Sequence, residues 1–449
     1  MTPTTDPSHT STRLPPPPVL LQIALYVNDA SSLLSFLDAL GASVRHSPIL
    51  NSLSYLVQNH DGIWPCICLT RQLFETAAPL KHVLIVLPHF AHVHVSWAGA
   101  MAWLGNLSRS TSITWTASLP NDASKSWFAQ WAQLPVTELA LRVEGNKPTR
   151  RLFYQTLIHC HSLVRMKLGG RVDLLSIFKL AAASTKLVEV HLVGGRTVPI
   201  MTTGCLGYAI RWLESTTPVQ ILTLTRWRWA NDVDEQVRAA FYTALLGCAT
   251  LHNLSFQECS LPHLQVVAPI ATRHFKLGKV WLTPLNLTGI ARALPESAVH
   301  NLVMTDIYRY PDFTDAEYLK AFEQLFEALT ISNVHTLTLD RCQLGDVSWP
   351  TLATWLQQLK LQQLSLGGNG ISDDGAILIA LAISASAAIE NVDLAHNRIG
   401  MKGAMALVNS WRTTRCFKVH FHENAISSED EALLVAATQR GISLSFCLP

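Results

Sequence analysis

The C-terminal third of the chain alternates apolar and polar residues in short bursts, and a helical pattern follows each burst. Written as L-x-x-L-x-L-x-x-N-x-I, one burst is Leu361, Leu364, Leu366, Asn369 and Ile371. The next is Ile389, Val392, Leu394, Asn397 and Ile399, and a third is Cys416, Val419, Phe421, Asn424 and Ile426. Apolar residues two apart predict a short strand with those side chains on one side. The Asn falls where the chain turns, and its amide can pair backbone groups that a buried turn would otherwise orphan. Between bursts, "DDGAILIALAISAS" and "SEDEALLVAATQR" open with acids and continue with apolar residues at helical spacing, which predicts helices. "TDAEYLKAFEQLFEALTIS" predicts a longer helix with Thr314 as its N-cap.

The template continues upstream through Val334, Leu337, Leu339, Cys342 and Leu344, and through Leu251, Leu254, Phe256, Cys259 and Leu261. Weaker copies place their paired apolar positions from Ile113, Leu139, Met166, Val190, Leu222, Val280 and Leu302, and a closing strand starts near Ile442. The starts recur about every 27 residues. This period and pattern resemble leucine-rich repeats of the longer, ribonuclease-inhibitor-like type. The resemblance implies an α/β solenoid, a horseshoe with parallel strands on its concave face and helices on its convex face. It covers residues 80–449 in about 12–13 units and is most regular over 334–449. Cys342 and Cys259 occupy the Asn position, a swap the family allows, so both read as structural.

Residues 1–13 are polar and rich in Pro, Ser and Thr, which reads as a disordered tail. Next comes "LPPPPVLLQIALYVNDASSLLSFLDALGA". Residues 14–45 resemble an F-box, the helical module that docks onto a Skp-type adaptor of cullin ubiquitin ligases. Val19, Leu20, Leu21, Ile23 and Tyr26 follow the family pattern in order, and Asp29, Leu33 and Leu34 follow them. Pro18 stands where the family has Glu, Leu14 lies one residue further upstream, and "ALGASVRH" replaces the family's Trp-containing ending. The resemblance implies adaptor contacts by Pro16, Val19, Leu20, Ile23, Tyr26, Leu33 and Leu34. An amphipathic cap of the solenoid fits Val19 to Tyr26 as well. Residues 46–79 read as a linker and N-terminal cap.

Charge and chemistry then narrow the function. Net charge is +2, from 34 basic and 32 acidic residues without a run of either sign, which excludes a nucleic-acid stripe or a polybasic membrane patch. The stretch from His82 to Ser108 carries no formal charge. It contains Pro88, Gly99, Gly105 and Asn106, so a strand, a turn and a helix are expected there rather than a membrane span. Nine cysteines without paired spacing imply a reducing compartment, cytoplasmic or nuclear. Neither His89, His92 and His94 nor His159, Cys160 and His161 has a second cluster to complete four zinc ligands. Cys66 and Cys68 alternate along an expected strand with both thiols to one side. In "RWRW", Trp227 and Trp229 fall on inward positions and Arg226 and Arg228 point out. Phosphate-loop and nucleophile-elbow motifs are absent, so neither an active site nor a cofactor is nominated.

Positions flanking the inward pairs are expected to face a protein partner. They include Arg142, Arg165, Lys167, His191, Lys279, Trp281, Asp340, Asp393, His420 and His422, with mixed signs that suit a protein or peptide. Trp281, between Val280 and Leu282 and beside Lys279, is the leading anchor. By resemblance, then, the expected role is the non-catalytic substrate-recognition subunit of a ubiquitin ligase, with an unknown protein substrate. A scaffold without a ligase link is the alternative, and a GTPase-regulating repeat protein a third reading.

Overall fold

The computed structural model describes residues 17–41, 44, 46–108, 110–215, 219–261, 264, 266, 269–386, 388–410, 417–437 and 442–445. The chain forms two compact units, Met1–Thr156 and Leu157–Pro449.

The first unit begins with three helices, α1 (Pro17–Leu25), α2 (Ala30–Leu40) and α3 (Pro48–Asn59). Asp29 caps α2 by accepting from the Ser32 amide at 2.8 Å, and the Ser47 hydroxyl caps α3 by accepting from the Leu50 amide. Leu33, Leu37 and Leu40 on α2, and Leu50, Leu53 and Leu56 on α3, recur three or four residues apart and are buried. The Trp64 indole donates to the Val27 carbonyl at 2.6 Å, holding the end of α1 to the segment that enters the first strand. Four strands then pair in parallel: β1 (Ile67–Leu69), β2 (His92–Val95), β3 (Ser112–Trp115) and β4 (Val136–Val143). β1 lies ahead of residue 80, where the repeat was expected to open. Its inward pair, Ile67 and Leu69, is the usual one, but Pro65 and the alternating cysteines mask the template.

The second unit repeats strand and helix. Its main strands are β5 (Arg165–Gly170), β6 (Glu189–Gly194), β8 (Ile221–Thr225), β10 (Asn253–Gln257), β11 (His274–Gly278) and β13 (Asn301–Thr305), followed by β15 (Thr336–Asp340), β16 (Gln363–Ser365), β17 (Asn391–Asp393), β18 (Phe417–His420) and β19 (Ile442–Ser445). Each pairs with the next in parallel. The register places Met166, Val190, Leu222, Leu254, Phe275, Leu302, Leu337, Leu364, Val392 and Val419 in one row, all buried. Each such side chain contributes about 1.5–3 kcal/mol of burial. Because both neighbours of a strand are other repeats, no unit completes that row alone.

One repeat is placed differently from expectation. The inward pair of β11 is Phe275 and Leu277, not Val280 and Leu282. "FKLGKVWL" offers the alternation twice, and a left-handed turn at Lys279, φ 51°, separates the two. Val280 and Leu282 are buried, yet they belong to a side ladder in which β12 (Trp281–Leu282) pairs with β14 (Tyr308–Arg309). A second side ladder pairs β7 (Ile200–Met201) with β9 (Arg228–Trp229).

The turns explain the asparagines. Asn397 Oδ1 accepts from the amides of Asn369 and Ile371 at 2.9 and 3.1 Å, while Nδ2 donates to the Leu366, Leu394 and Ala395 carbonyls. Asn369 does the same one repeat earlier, accepting from Cys342 and Leu344 amides and donating to Leu339 and Leu366 carbonyls. Cys342, on the Asn position, donates its S–H to the Met304 carbonyl at 3.4 Å. Burial pushes its thiol far up and that of Cys259 up to about 12, so neither supplies a thiolate.

A matching device links the helix starts. Asp346 Oδ1 accepts from the Ser372 and Gly375 amides of the next repeat, and Asp373 Oδ1 accepts from the Gly400 and Gly403 amides of the one after. A Cβ on Gly375 would lie 2.4 Å from the Asp346 oxygen, and one on Gly403 2.7 Å from that of Asp373. The shared "GA" of "SDDGA" and "GMKGA" is therefore room for the previous repeat's carboxylate.

Just beyond β8, β10, β11, β13, β15, β16, β17 and β18 one residue turns left-handed: Arg226, Glu258, Lys279, Asp306, Arg341, Gly368, His396 and Glu423. From Arg226 to His396, each donates its amide to a carbonyl of the following repeat at 2.7–2.9 Å.

Candidate functional site

Two surfaces stand out by different physics. The first is α1 in the N-terminal unit. Leu20 and Ala24 are buried, whereas Val19, Ile23 and Tyr26 are 40%, 41% and 86% exposed. Val19 and Ile23 lie four residues apart on one face of α1, and Tyr26 sits in the turn that follows, its amide donating to the Ile23 carbonyl. Leu33 is buried and Leu34 half-buried, which makes them part of what holds α1 and α2 rather than free contacts. Pro16 lies outside the described residues. An apolar row left in solvent on a short helix suits a hydrophobic groove on a partner.

The second surface is the outward side of the strands. On β4 of the first unit, Arg142 is exposed and paired with Glu144. In the second unit Arg165 and Lys167 are exposed on β5, with Arg165 Nε 3.8 Å from Glu189 on β6. His191 is half-buried between the Thr223 hydroxyl at 3.0 Å and Glu189 at 3.4 Å. Toward the C-terminus, Asp340 Oδ1 accepts from the Ser365 hydroxyl at 2.6 Å and from the Gly367 amide. Burial raises the carboxyl of Asp340 above its ordinary value, and the charge of Asp393 adds to the rise. Asp393 is itself held by the Ala395 amide, and the rings of His420 and His422 stand 5.9 Å apart, with His422 Nε2 3.1 Å from the Ser445 hydroxyl. Asp340, Asp393 and His420 are thus gathered on neighbouring strands, while Arg165, Lys167 and His191 sit several strands away on β5 and β6.

Trp281 is 39% exposed but stands on β12, in the side ladder rather than the main strand face. Its ring lies 5.4 Å from that of Tyr308 and 5.3 Å from that of Tyr310. An open groove of about 530 Å³ runs here, lined by Arg226, Glu258, Ser260, Lys279, Trp281 and Tyr308. Arg226 is paired with Glu258 through Nε at 2.9 Å, whereas Lys279 is exposed. Sequence reasoning missed both tyrosines. Their signal was the spacing in "DIYRYPDF", where Tyr308 and Tyr310 alternate beyond the Asp306 turn.

In "RWRW" Trp227 is buried and Arg226 and Arg228 are exposed, whereas Trp229, expected inward as well, is only half-buried. Among the described residues no group of three or more His, Cys, Asp or Glu could hold a metal ion, and no helix is long and apolar enough to cross a membrane.

A leucine-rich-repeat family model matches residues 357–380 and 389–408. The fold is a leucine-rich-repeat solenoid. No curated protein matches the chain. A crystal structure of a protein from Bacteroides fragilis is similar at 12% identity over 69% of this chain and 74% of that one, with a TM-score of 0.33, a likeness too slight to build on. Repeats of this kind present surfaces for protein interaction, and the exposed α1 row and the groove at Trp281 are the two best-defined such surfaces.

Proposed function

We propose that the protein is a non-catalytic recognition subunit of a cullin ubiquitin ligase. The α1 face would meet a Skp-type adaptor and the solenoid a protein substrate. The observation that carries this reading is the exposed pair Val19 and Ile23 on α1, continued by Tyr26 in the turn after it, on a helix whose opposite side, Leu20 and Ala24, is buried. Had α1 served only to close the solenoid, its apolar residues would be expected to lie inward. No chemistry is asked of the chain; it raises the effective concentration of target at the ligase.

The test uses the full chain and an Ile23→Glu variant, each co-purified with a Skp-type adaptor. Ile23 is exposed, so the substitution leaves the core intact and the melting temperature unchanged. The reading expects the wild type to retain adaptor and the variant to lose it. If neither retains adaptor, the chain is a repeat scaffold without a ligase link.

A further inference from the structure

The strand face of the first unit carries a cysteine and a base arranged for chemistry that the interaction role does not need. Cys68 on β1 and His94 on β2 are register partners. Cys68 Sγ lies 3.4 Å from His94 Nδ1, and His94 Nε2 lies 2.7 Å from the Thr116 hydroxyl. That hydroxyl has one proton and donates it to the Val95 carbonyl at 3.3 Å. With that donation the hydroxyl accepts from His94, the ring proton sits on Nε2 and the Nδ1 lone pair faces the thiol, which is the tautomer the step below uses. The neighbouring histidine is fixed too, with His92 Nδ1 2.7 Å from the Ser112 hydroxyl and Nε2 3.0 Å from that of Thr114. Cys68 and His94 are both half-buried, so the thiol is open to a small molecule yet partly shielded from water.

We infer that Cys68, with His94 as its general base and Thr116 orienting that base, is a site of oxidation by hydroperoxides. In the step, Sγ attacks the terminal peroxide oxygen while its proton passes to His94 Nδ1. A sulfur–oxygen bond forms and the oxygen–oxygen bond breaks. The imidazolium then returns the proton to the leaving hydroxide or alkoxide, which departs as water or an alcohol. Sulfur loses two electrons to give a sulfenic acid, and the peroxide gains them.

The surroundings agree. Burial, and then the nearby His92, hold His94 below the ordinary imidazole value, so it is a neutral base at pH 7. The titratable groups facing it are Cys68 from β1 and His92 from its own strand; Thr114 on β3 and Thr116 just beyond it present hydroxyls. Cys66 is an internal control, because burial pushes its thiol up and no imidazole nitrogen faces it. Burial likewise raises Cys160 to about 12.

The experiment treats the full chain with hydrogen peroxide and follows each thiol by differential alkylation and fragment-ion mass spectrometry, between pH 5 and 9. Cys68 is expected to oxidise at least about tenfold faster than Cys66, within the range of a general base. Its rate should fall in acid through the titration of His94, below the usual imidazole range. His94→Phe should abolish the difference and remove the acid fall that His94 sets. Thr116→Val keeps the base but removes its orienting acceptor, and should slow Cys68 by a smaller factor. Equal rates at Cys66 and Cys68, or an unchanged Cys68 rate in either folded variant, would overturn the assignment. If His94→Phe does not fold, Thr116→Val and the wild-type pH profile decide it.

Discussion

Replacing Asn397 by Ala isolates what the asparagine turn contributes. The side chain is 7% exposed and makes five hydrogen bonds, but its partners are not equally dependent on it. The Leu366 carbonyl also accepts from Asn369 Nδ2, the Leu394 carbonyl from Asn424 Nδ2, and the Ala395 carbonyl from the Gly368 amide. Removing Nδ2 therefore leaves no carbonyl without a donor. Removing Oδ1 is different, because the Asn369 and Ile371 amides have no other acceptor among these bonds. Each buried amide left unpaired costs about 1–3 kcal/mol, so losing the acceptor of both should destabilise by about 2–6 kcal/mol. Asn397→Cys should cost less, since Cys342 serves at the same place two repeats earlier. The assay is a urea titration of the full chain with hydrogen exchange read residue by residue, because a repeat array need not unfold in one step. Protection should fall first at Asn369 and Ile371 and stay unchanged on β6. A loss below about 1 kcal/mol, or equal costs for Ala and Cys, would refute the account in which orphaned amides dominate.

Gly403→Ala should destabilise by about 1–3 kcal/mol, because its Cβ would meet Asp373 Oδ1 at 2.7 Å and Ala376 Cβ at 2.9 Å; a thermal melt beside Asp373→Ala Gly403→Ala tests whether removing the carboxylate relieves part of it. Trp212→Ala, at a fully buried helix position, should cost about 3–5 kcal/mol in the same melt. Arg226→Ala, by contrast, breaks an exposed ion pair with Glu258 and should shift stability by less than about 1 kcal/mol, so a larger loss would mean the turn itself depends on it. The Ser31 hydroxyl first, then the Ser32 amide, hold Asp29 at about 2 against an ordinary 3.8. The folded-state value is depressed, so its support of α2 is complete above about pH 4 and is lost as pH falls through 2. Carboxyl NMR of Asp29 should show that titration, moved upward in Ser31→Ala.

What was legible in the sequence followed from how far apart the deciding residues lie. Thr314 caps its helix as the sequence suggests, and Glu317 completes a capping box with it, because both partners sit within one turn. The strong copies of the template were readable because a strand of three to five residues and its turn asparagine are contiguous. Val280 was misplaced because two alternations stand side by side, and only the backbone at Lys279 shows which of them joins the main ladder. The Asp346 and Asp373 caps reach into the following repeat, so no local window contains both partners, although the recurring "GA" carried their trace. Trp281 was read as exposed, and is, but the tyrosines that make it a surface come from another repeat.

The row of left-handed residues sets where the molecule could change its own length. Gly368 and His396 hold the same backbone geometry, and each passes one amide forward to the succeeding turn. Excising residues 369–396 would join Gly368 to Asn397, the residue type that already follows it. The new junction would find its acceptor at His422, where His396 now donates. Those left-handed residues therefore mark the seams along which whole repeats could be gained or lost, and a shortened chain spliced there should still fold.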